Sequence, residues 1–394
     1  MATAVLDLDF EHLPPGITGI ERYHQALLLV RFRGQPVGQT TVPVFNGCIS
    51  AVELRHAVVQ AGGWPLWEAW LFNQLEWDRI QLADYPLPSS TVAVCTRDRP
   101  DDVRRCLHAL MRLHNDGQEV LVIDNCPSTD ITRQIVGEFP SVRYVREPVP
   151  GLDVARNRAL TEAWGDIVAF SDDDAAPDPG WLRALLRNFD DPLVFCVTGL
   201  TMPLELETDA QEWHERYSTF GRGFKRRVFD RTFVNPMAAG KIGAGVNMAI
   251  RRSALQLVGP FDEALDAGTR TRSGGDSEMF SRLLAAGYRI VYEPRALTWH
   301  RHRRTWSELR KMINGYGVGV YAAWTRSFLV EREYSMIRPA LSWLFRTQLP
   351  GLFRSAFRHA SPVQFDLGLA ELRGCLAGTW HYLRSRKQVR NRTR

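Results

Sequence analysis

The sequence is short of cysteine, of long apolar runs, and of glycine where a dinucleotide loop would need it. Its six cysteines (Cys48, Cys95, Cys106, Cys126, Cys196 and Cys375) are scattered over 394 residues, with no CxxC pair. That spacing excludes a zinc ribbon and a disulfide framework, and a reducing cytosol is the expected setting. No stretch approaches the roughly 18 to 20 apolar residues of a membrane-crossing helix. The opening MATAVLDLDFEHLPPG carries Asp7 and Asp9 and no basic segment ahead of an apolar core, so it does not read as a secretory signal. The first strand-to-helix turn, CTRDRPDD, holds no glycine. A GxGxxG dehydrogenase is therefore excluded, and so is the glycine-rich turn of a sugar-phosphate nucleotidyltransferase. No RNP, zinc-finger or helix-turn-helix pattern occurs, so nucleic acid is not an expected partner.

What is present is a globular composition, 45% apolar and 24% charged, rather than that of a disordered chain. Charge is unevenly placed. From Ser335 onward eleven Lys or Arg face only Asp366 and Glu371, a net of +9, which leaves −4 on the rest. Three parts follow from the patterning. Residues 1–88 read as an accessory module. In it ALLLVRFRG and QTTVPVFNG pair around a turn at Gly34 to Gly38, and Ser50 with Glu53 forms a capping box opening a helix that Gly62 closes. Pro86 to Ser90 reads as a linker. Residues 91–304 alternate short buried strands (TVAVCT, EVLVIDN, VRYVRE, DIVAF) with helical segments, which predicts an α/β sheet, mostly parallel, flanked by helices. Residues 305–394 read as a helical, basic extension.

Three clusters carry chemistry. Asp172, Asp173 and Asp174 follow the buried strand DIVAF, at the carboxyl end where open α/β sheets gather ligands. Adjacent carboxylates repel unless a cation or donors compensate, and they suit hard divalent ions that bridge to phosphates. A solvated acidic turn before Pro177 is the plainer alternative. Asp276 and Glu278 lie at a loop-to-helix junction after Gly274 and Gly275, as helix caps or, beside a metal, as a candidate base for a hydroxyl. In Trp299 to Arg304 (WHRHRR), His300 and His302 share one side of an extended segment, either as ligands or as a solvated basic surface.

The ordered motifs VCTRDRP, VLVIDN, GLDVARNRAL, FSDDD, GAGVNMAIRR, GGDSEMFSRLL and WHRHR resemble the family 2 glycosyltransferases of the GT-A fold, over roughly Thr91 to Arg304. The resemblance implies an inverting, metal-dependent transferase using Mn²⁺ or Mg²⁺. It implies a nucleotide-sugar donor, a UDP-sugar by expectation, and a glycan, lipid-linked or small-molecule hydroxyl as acceptor. By the same resemblance Thr96, Arg97, Arg99, Asp124, Arg156, Asn157, Asp172, Asp173, Gly245 and Asn247 would bind the nucleotide-sugar. Asp174, Asp172 and His300 would hold the metal, and Asp276 would be the catalytic base. The family usually has Glu before the base, where this chain has Gly275. That departure motivates the alternative of a non-catalytic nucleotide-sugar-binding or scaffold protein. In the tail, SMIRPALSWLFRTQLPGLFRSAFRHA interleaves aromatics with arginines. It suits an anionic membrane surface, internal packing or a dimer contact, and the six basic residues from Arg384 onward tip the reading toward a peripheral enzyme on the inner face of the cell membrane. Oligomeric state is open at this level.

Overall fold

The structure is a computed structural model that describes residues 2–76, 86–232, 234–357 and 362–392. Two sheets organise it. The smaller has β1 (Thr3–Asp9) parallel to β2 (Gln25–Phe32), and β2 antiparallel to β3 (Gln35–Pro43). Arg33 and Gly34, both at positive φ, make the hairpin a tight two-residue turn. The turn therefore lies earlier than Gly34 to Gly38, and Gln35 to Gly38 join the strand instead. Helix α1 (Ala51–Gln74) opens on the Ser50–Glu53 capping box. It does not close at Gly62: the chain breaks at Gly63 (φ 44°) and resumes a helical path to Gln74.

The larger sheet is mixed. Its strands are β4 (Ser90–Thr96), β5 (Glu119–Asn125), β6 (Val142–Glu147), β7 (Ile167–Asp172), β8 (Ala175–Pro177), β9 (Val194–Pro203), β10 (Arg227–Phe229), β11 (Asn247–Arg251) and β12 (Arg289–His300). They run in the order β10-β12-β9-β11-β7-β4-β5-β6, with β8 on the end of β12. β7, β4, β5 and β6 are parallel, and β11 runs against both of its neighbours. Strand β4 is buried along its whole length because its alternate residues feed two cores. Val92 and Val94 pack with Val103 and Leu107 of α2 (Pro100–Leu110) and with Trp181. Ala93 and Cys95 pack with Ala155 and Ala159 of α4 (Leu152–Glu162) and Phe280 of α8 (Gly275–Ala285). Between these helices lie α3 (Ile131–Val136), α5 (Trp181–Leu186), α6 (Asp209–Tyr217) and α7 (Ala254–Leu257).

The two sheets meet through apolar contact. One face of β1–β3 packs on α1, through Leu28, Val30, Leu54 and Val58. The opposite face presents Leu27 and Leu29 to Leu200, Met202, Leu206 and Leu297 of the large sheet region. Arg31 joins Asp7 of its own sheet at 2.6 Å and, across the seam, Asp178 at 2.8 Å. At the other end α9 (Trp306–Arg326) starts at a Thr305–Glu308 capping box and packs along α12 (Pro362–Arg392). Between them stand α10 (Ile337–Trp343), a π-helical turn at Leu344–Gln348, and α11 (Leu349–Phe357). Among the described residues no helix is long and apolar enough to cross a membrane.

Candidate active site

The parallel strands end on one edge of the sheet, and their register sets Cys95 beside Asp172 and Thr96 beside Asp124. Along that edge opens a cavity of about 620 Å³. Asp172 ends β7 and the chain turns at once into β8, so Asp173 and Asp174 lie in a tight connection. β8 pairs with the end of β12, which puts Ala175 opposite His300. His300 Nε2 is then 3.2 Å from Asp174 Oδ1. Arg99 Nη1 is 3.0 Å from Asp173 Oδ1 and 3.0 Å from Asp174 Oδ2, and Arg303 Nη1 is 3.4 Å from the latter. The Thr96 hydroxyl donates to Asp173 Oδ2 at 2.8 Å.

These neighbours divide the acidic triplet into unlike groups. Burial raises all three carboxyls. For Asp174 the charges of His300, Arg303 and Arg99 outweigh burial and hold it well below the usual range. Burial, followed by the Asp174 charge, pushes Asp172 up to about 6 and Asp173 to about 7. His300 is held from behind. Its Nδ1 lies 3.0 Å from His302 Nδ1, and His302 Nε2 lies 3.0 Å from Glu215 Oε2. Such outer partners fix the orientation of a ligating imidazole. Cys95 also lines the cavity, but burial drives its thiol up to about 12, so it is no nucleophile.

The facing wall is built around Asp276. Its Oδ2 accepts from the Gly245 N–H at 2.7 Å and its Oδ1 from the Ser277 N–H at 2.6 Å. A Cβ on Gly245 would lie 2.6 Å from Arg156 Nη2 and 3.2 Å from Asp276 Oδ2, so any larger residue there would displace the Arg156 guanidinium. Arg156 is buried, with Nη1 at 2.9 Å from Asp153 Oδ1 and 2.8 Å from Asp266 Oδ2. Burial alone would lower its affinity for the proton; the two carboxylates reverse that and raise it. Gly275 has a reason of the same kind. A Cβ there would sit 2.0 Å from Asp153 Oδ2. A carboxylate from α4 thus occupies the space into which a side chain at 275 would project.

Of the thirteen residues to which the resemblance gives a role, ten line this one cavity: Thr96, Arg97, Arg99, Arg156, Asp172, Asp173, Asp174, Gly245, Asp276 and His300. Three do not. Asn157 spends its amide on the Phe261 backbone, donating to its carbonyl at 3.0 Å and accepting from its N–H at 2.8 Å. Asn247 accepts from the Trp181 indole at 2.8 Å and donates to Leu200 O and Ala296 O at 2.9 Å each. Both are structural ties, that of Asn247 inside the core. Asp124 is buried under the rim, accepting from the Tyr144 hydroxyl at 2.8 Å, and burial raises its carboxyl. Its neighbour Asn125 takes the place on the cavity wall.

Sequence reading missed other wall residues. Asp266 and Arg272 come from a loop without a recognisable pattern, whereas Arg303 stands inside the WHRHRR run already noted for its histidines. Tyr316 and Trp343 come from α9 and α10, outside the span of the resemblance. Among the described residues no three His, Cys, Asp or Glu side chains form a ready-made metal cluster. Asp174 and His300 nevertheless make an adjacent carboxylate–imidazole pair, with the Asp172 carboxyl on the same wall. Carboxylate and imidazole are donor types that Mn²⁺ and Mg²⁺ accept, so these residues fit such an ion.

A mixed sheet with β11 set antiparallel between parallel strands, and an acidic cluster at the strand ends, is the arrangement of the GT-A fold. Residues 91–259 match the model of Glycosyl transferase family 2. It is 30% identical over 233 residues to the pre-mycofactocin glycosyltransferase of Mycobacterium tuberculosis, covering 57% of this chain and 46% of that protein. The chain thus spans about half the length of that curated relative. To the succinoglycan biosynthesis protein ExoM of Rhizobium meliloti it is 28% identical over 305 residues, 71% of this chain and 94% of the relative. Among solved structures it is similar to the mannosyltransferase PcManGT of Pyrobaculum calidifontis in complex with GDP-Man and Mn²⁺. The TM-score is 0.52 at 16% identity, over 78% of this chain and 94% of that one, a likeness of fold.

Proposed function

We propose that the chain transfers a sugar from a nucleoside-diphosphate sugar to an acceptor hydroxyl in one in-line displacement that inverts the anomeric carbon. The observation that carries this reading is the pairing, across one cavity, of the Asp172–Asp174 and His300 cluster with the Asp276 carboxylate. Asp276, held at both oxygens by backbone N–H groups, takes the acceptor proton as the hydroxyl attacks from the face opposite the leaving phosphate. The leaving diphosphate gains negative charge, and Arg97, Arg99, Arg272 and Arg303 line the cavity where that charge would be received. Asp174, His300 and Asp172 would hold a divalent ion, Mn²⁺ or Mg²⁺, which when bound neutralises the diphosphate. The solved mannosyltransferase of this fold, crystallised with GDP-Man and Mn²⁺, supports both the donor class and the ion. A UDP-sugar remains the expected donor, with a glycan, lipid-linked or small-molecule hydroxyl as acceptor. Residues 91–304 would act as the catalytic unit, with 1–88 and 305–394 built onto it.

Titration of UDP, GDP and dTDP by calorimetry, with Mn²⁺ and then with EDTA, tests the donor site. One nucleotide should bind, and chelation should abolish the heat. Asp276→Asn should lower turnover by about 10² to 10⁴ while leaving that nucleotide's affinity within about twofold. Unchanged turnover in Asp276→Asn would reject the base. Binding without turnover in the unaltered chain would favour a non-catalytic nucleotide-sugar-binding protein.

A further inference from the structure

The helical stretch 337–357 has two faces with different chemistry. Inward, Trp343 stacks on Tyr321 with ring centroids 6.0 Å apart and lines the cavity, while Ala340 and Gln348 are buried. Outward stand Ile337, Leu341, Phe345, Leu349 and Phe353, between 40% and 64% exposed and each four residues from the last. On a regular α-helix such a row drifts about 40° per step. The wider π-helical turn at Leu344–Gln348 counters the drift and keeps the row on one side. Arg338, Arg346 and Arg354 are exposed on the same stretch, which contains no acidic residue.

We propose that this outer face docks the protein on an anionic lipid bilayer. Apolar side chains in single file with interleaved arginines match an interfacial helix, whose rings sink to the acyl boundary while guanidinium groups meet lipid phosphates. Charge complementarity selects that occupant, since 337–357 carries only positive charge. A second copy fits less well. The row spans about 24 Å along a helix about 10 Å wide, well short of the roughly 800 Å² per partner of a stable dimer. Because the inner face of the same helix walls the cavity, docking brings that wall within about one helix diameter of the headgroups.

Flotation of the full chain with vesicles tests this, using phosphatidylcholine alone and phosphatidylcholine mixed with phosphatidylglycerol. The chain should rise only with the anionic vesicles, and less so at high salt. Leu341→Glu with Phe345→Glu should reduce the floating fraction about tenfold or more. Arg338→Gln, Arg346→Gln and Arg354→Gln together should erase the preference for anionic lipid. Both variants change exposed side chains, and nucleotide titration of each, with its melting curve, reports that the fold and the donor site persist. Failure of the folded chain to float with either vesicle would overturn the proposal, as would equal flotation of the Glu variant. Sedimentation that shows a dimer dissolved by Leu341→Glu and Phe345→Glu would assign the face to self-association instead. None of these readouts uses turnover, so they stand or fall apart from the transferase reading.

Discussion

The two additions to the catalytic sheet are joined to it in opposite ways. The N-terminal sheet meets it through a seam whose centre is apolar, Leu27 and Leu29 against Leu200, Met202 and Leu297, and among the described residues it sends none to the cavity wall. The C-terminal helices reach the chemistry itself: Met312, Tyr316, Val320, Trp343 and Glu371 all line the cavity. One addition braces the sheet from behind, where apolar area decides stability. The other completes a concave site, where shape decides affinity. Stability and substrate affinity should therefore separate when each region is altered.

The largest effect is expected at the N-terminal seam. Leu29 is fully buried, so Leu29→Ala leaves a cavity costing about 2 to 5 kcal/mol. Chemical denaturation should show that loss, while KM and kcat of the folded protein stay as they were. A changed KM would mean that the seam is coupled to the site and would break the contrast. Next comes the helix pair that carries the far wall. Gly374 of α12 packs so close to α9 that a Cβ would stand 2.1 Å from Asn314 O. Gly374→Leu must push the helices apart at about 1 to 3 kcal/mol. Here KM should rise along with the loss of stability, because α9 carries Tyr316 into the cavity.

How much of this was legible in the sequence depends on whether a feature is local. Strands β4, β5 and β7 announce themselves as short β-branched runs between helical periods, and Asp172 to Asp174 follow one of them directly. The ridge from Ile337 to Phe353 is likewise a local amphipathic pattern, though which face meets the body required the positions of Tyr321 and Trp324. Asn157 and Asn247 look like ligands in a motif and are spent on backbone partners over a hundred and about fifty residues away. Gly275 is the clearest case. Read along the chain it is a missing Glu; in space it is the room that Asp153, from another helix, fills. A side chain that fills the space beside another position from a different helix leaves no periodicity to read. The same holds for β1, whose TAVLDLD pairs in parallel with a strand more than fifteen residues away.

The smallest and most discriminating effect is expected at Trp343, where the two roles of the C-terminal region meet. Its ring stacks on Tyr321, meets Trp324 edge-on at 5.8 Å, and closes one side of the cavity. Trp343→Ala removes a wall without removing a charge or a hydrogen-bond donor to the acidic cluster. Interactions made equally in ground and transition states raise KM and leave kcat alone. The expected result is a rise of about tenfold in KM for one substrate, equivalent to about 1.4 kcal/mol, with kcat unchanged. Which KM moves is informative in itself. A shift confined to the donor places the nucleotide-sugar under the C-terminal helices. A shift confined to the acceptor places the incoming hydroxyl there, on the helix whose outer face is proposed to rest on lipid. If neither moves and only the melting temperature falls, the C-terminal helices brace the sheet as the N-terminal module does, and the contrast between the two regions is lost.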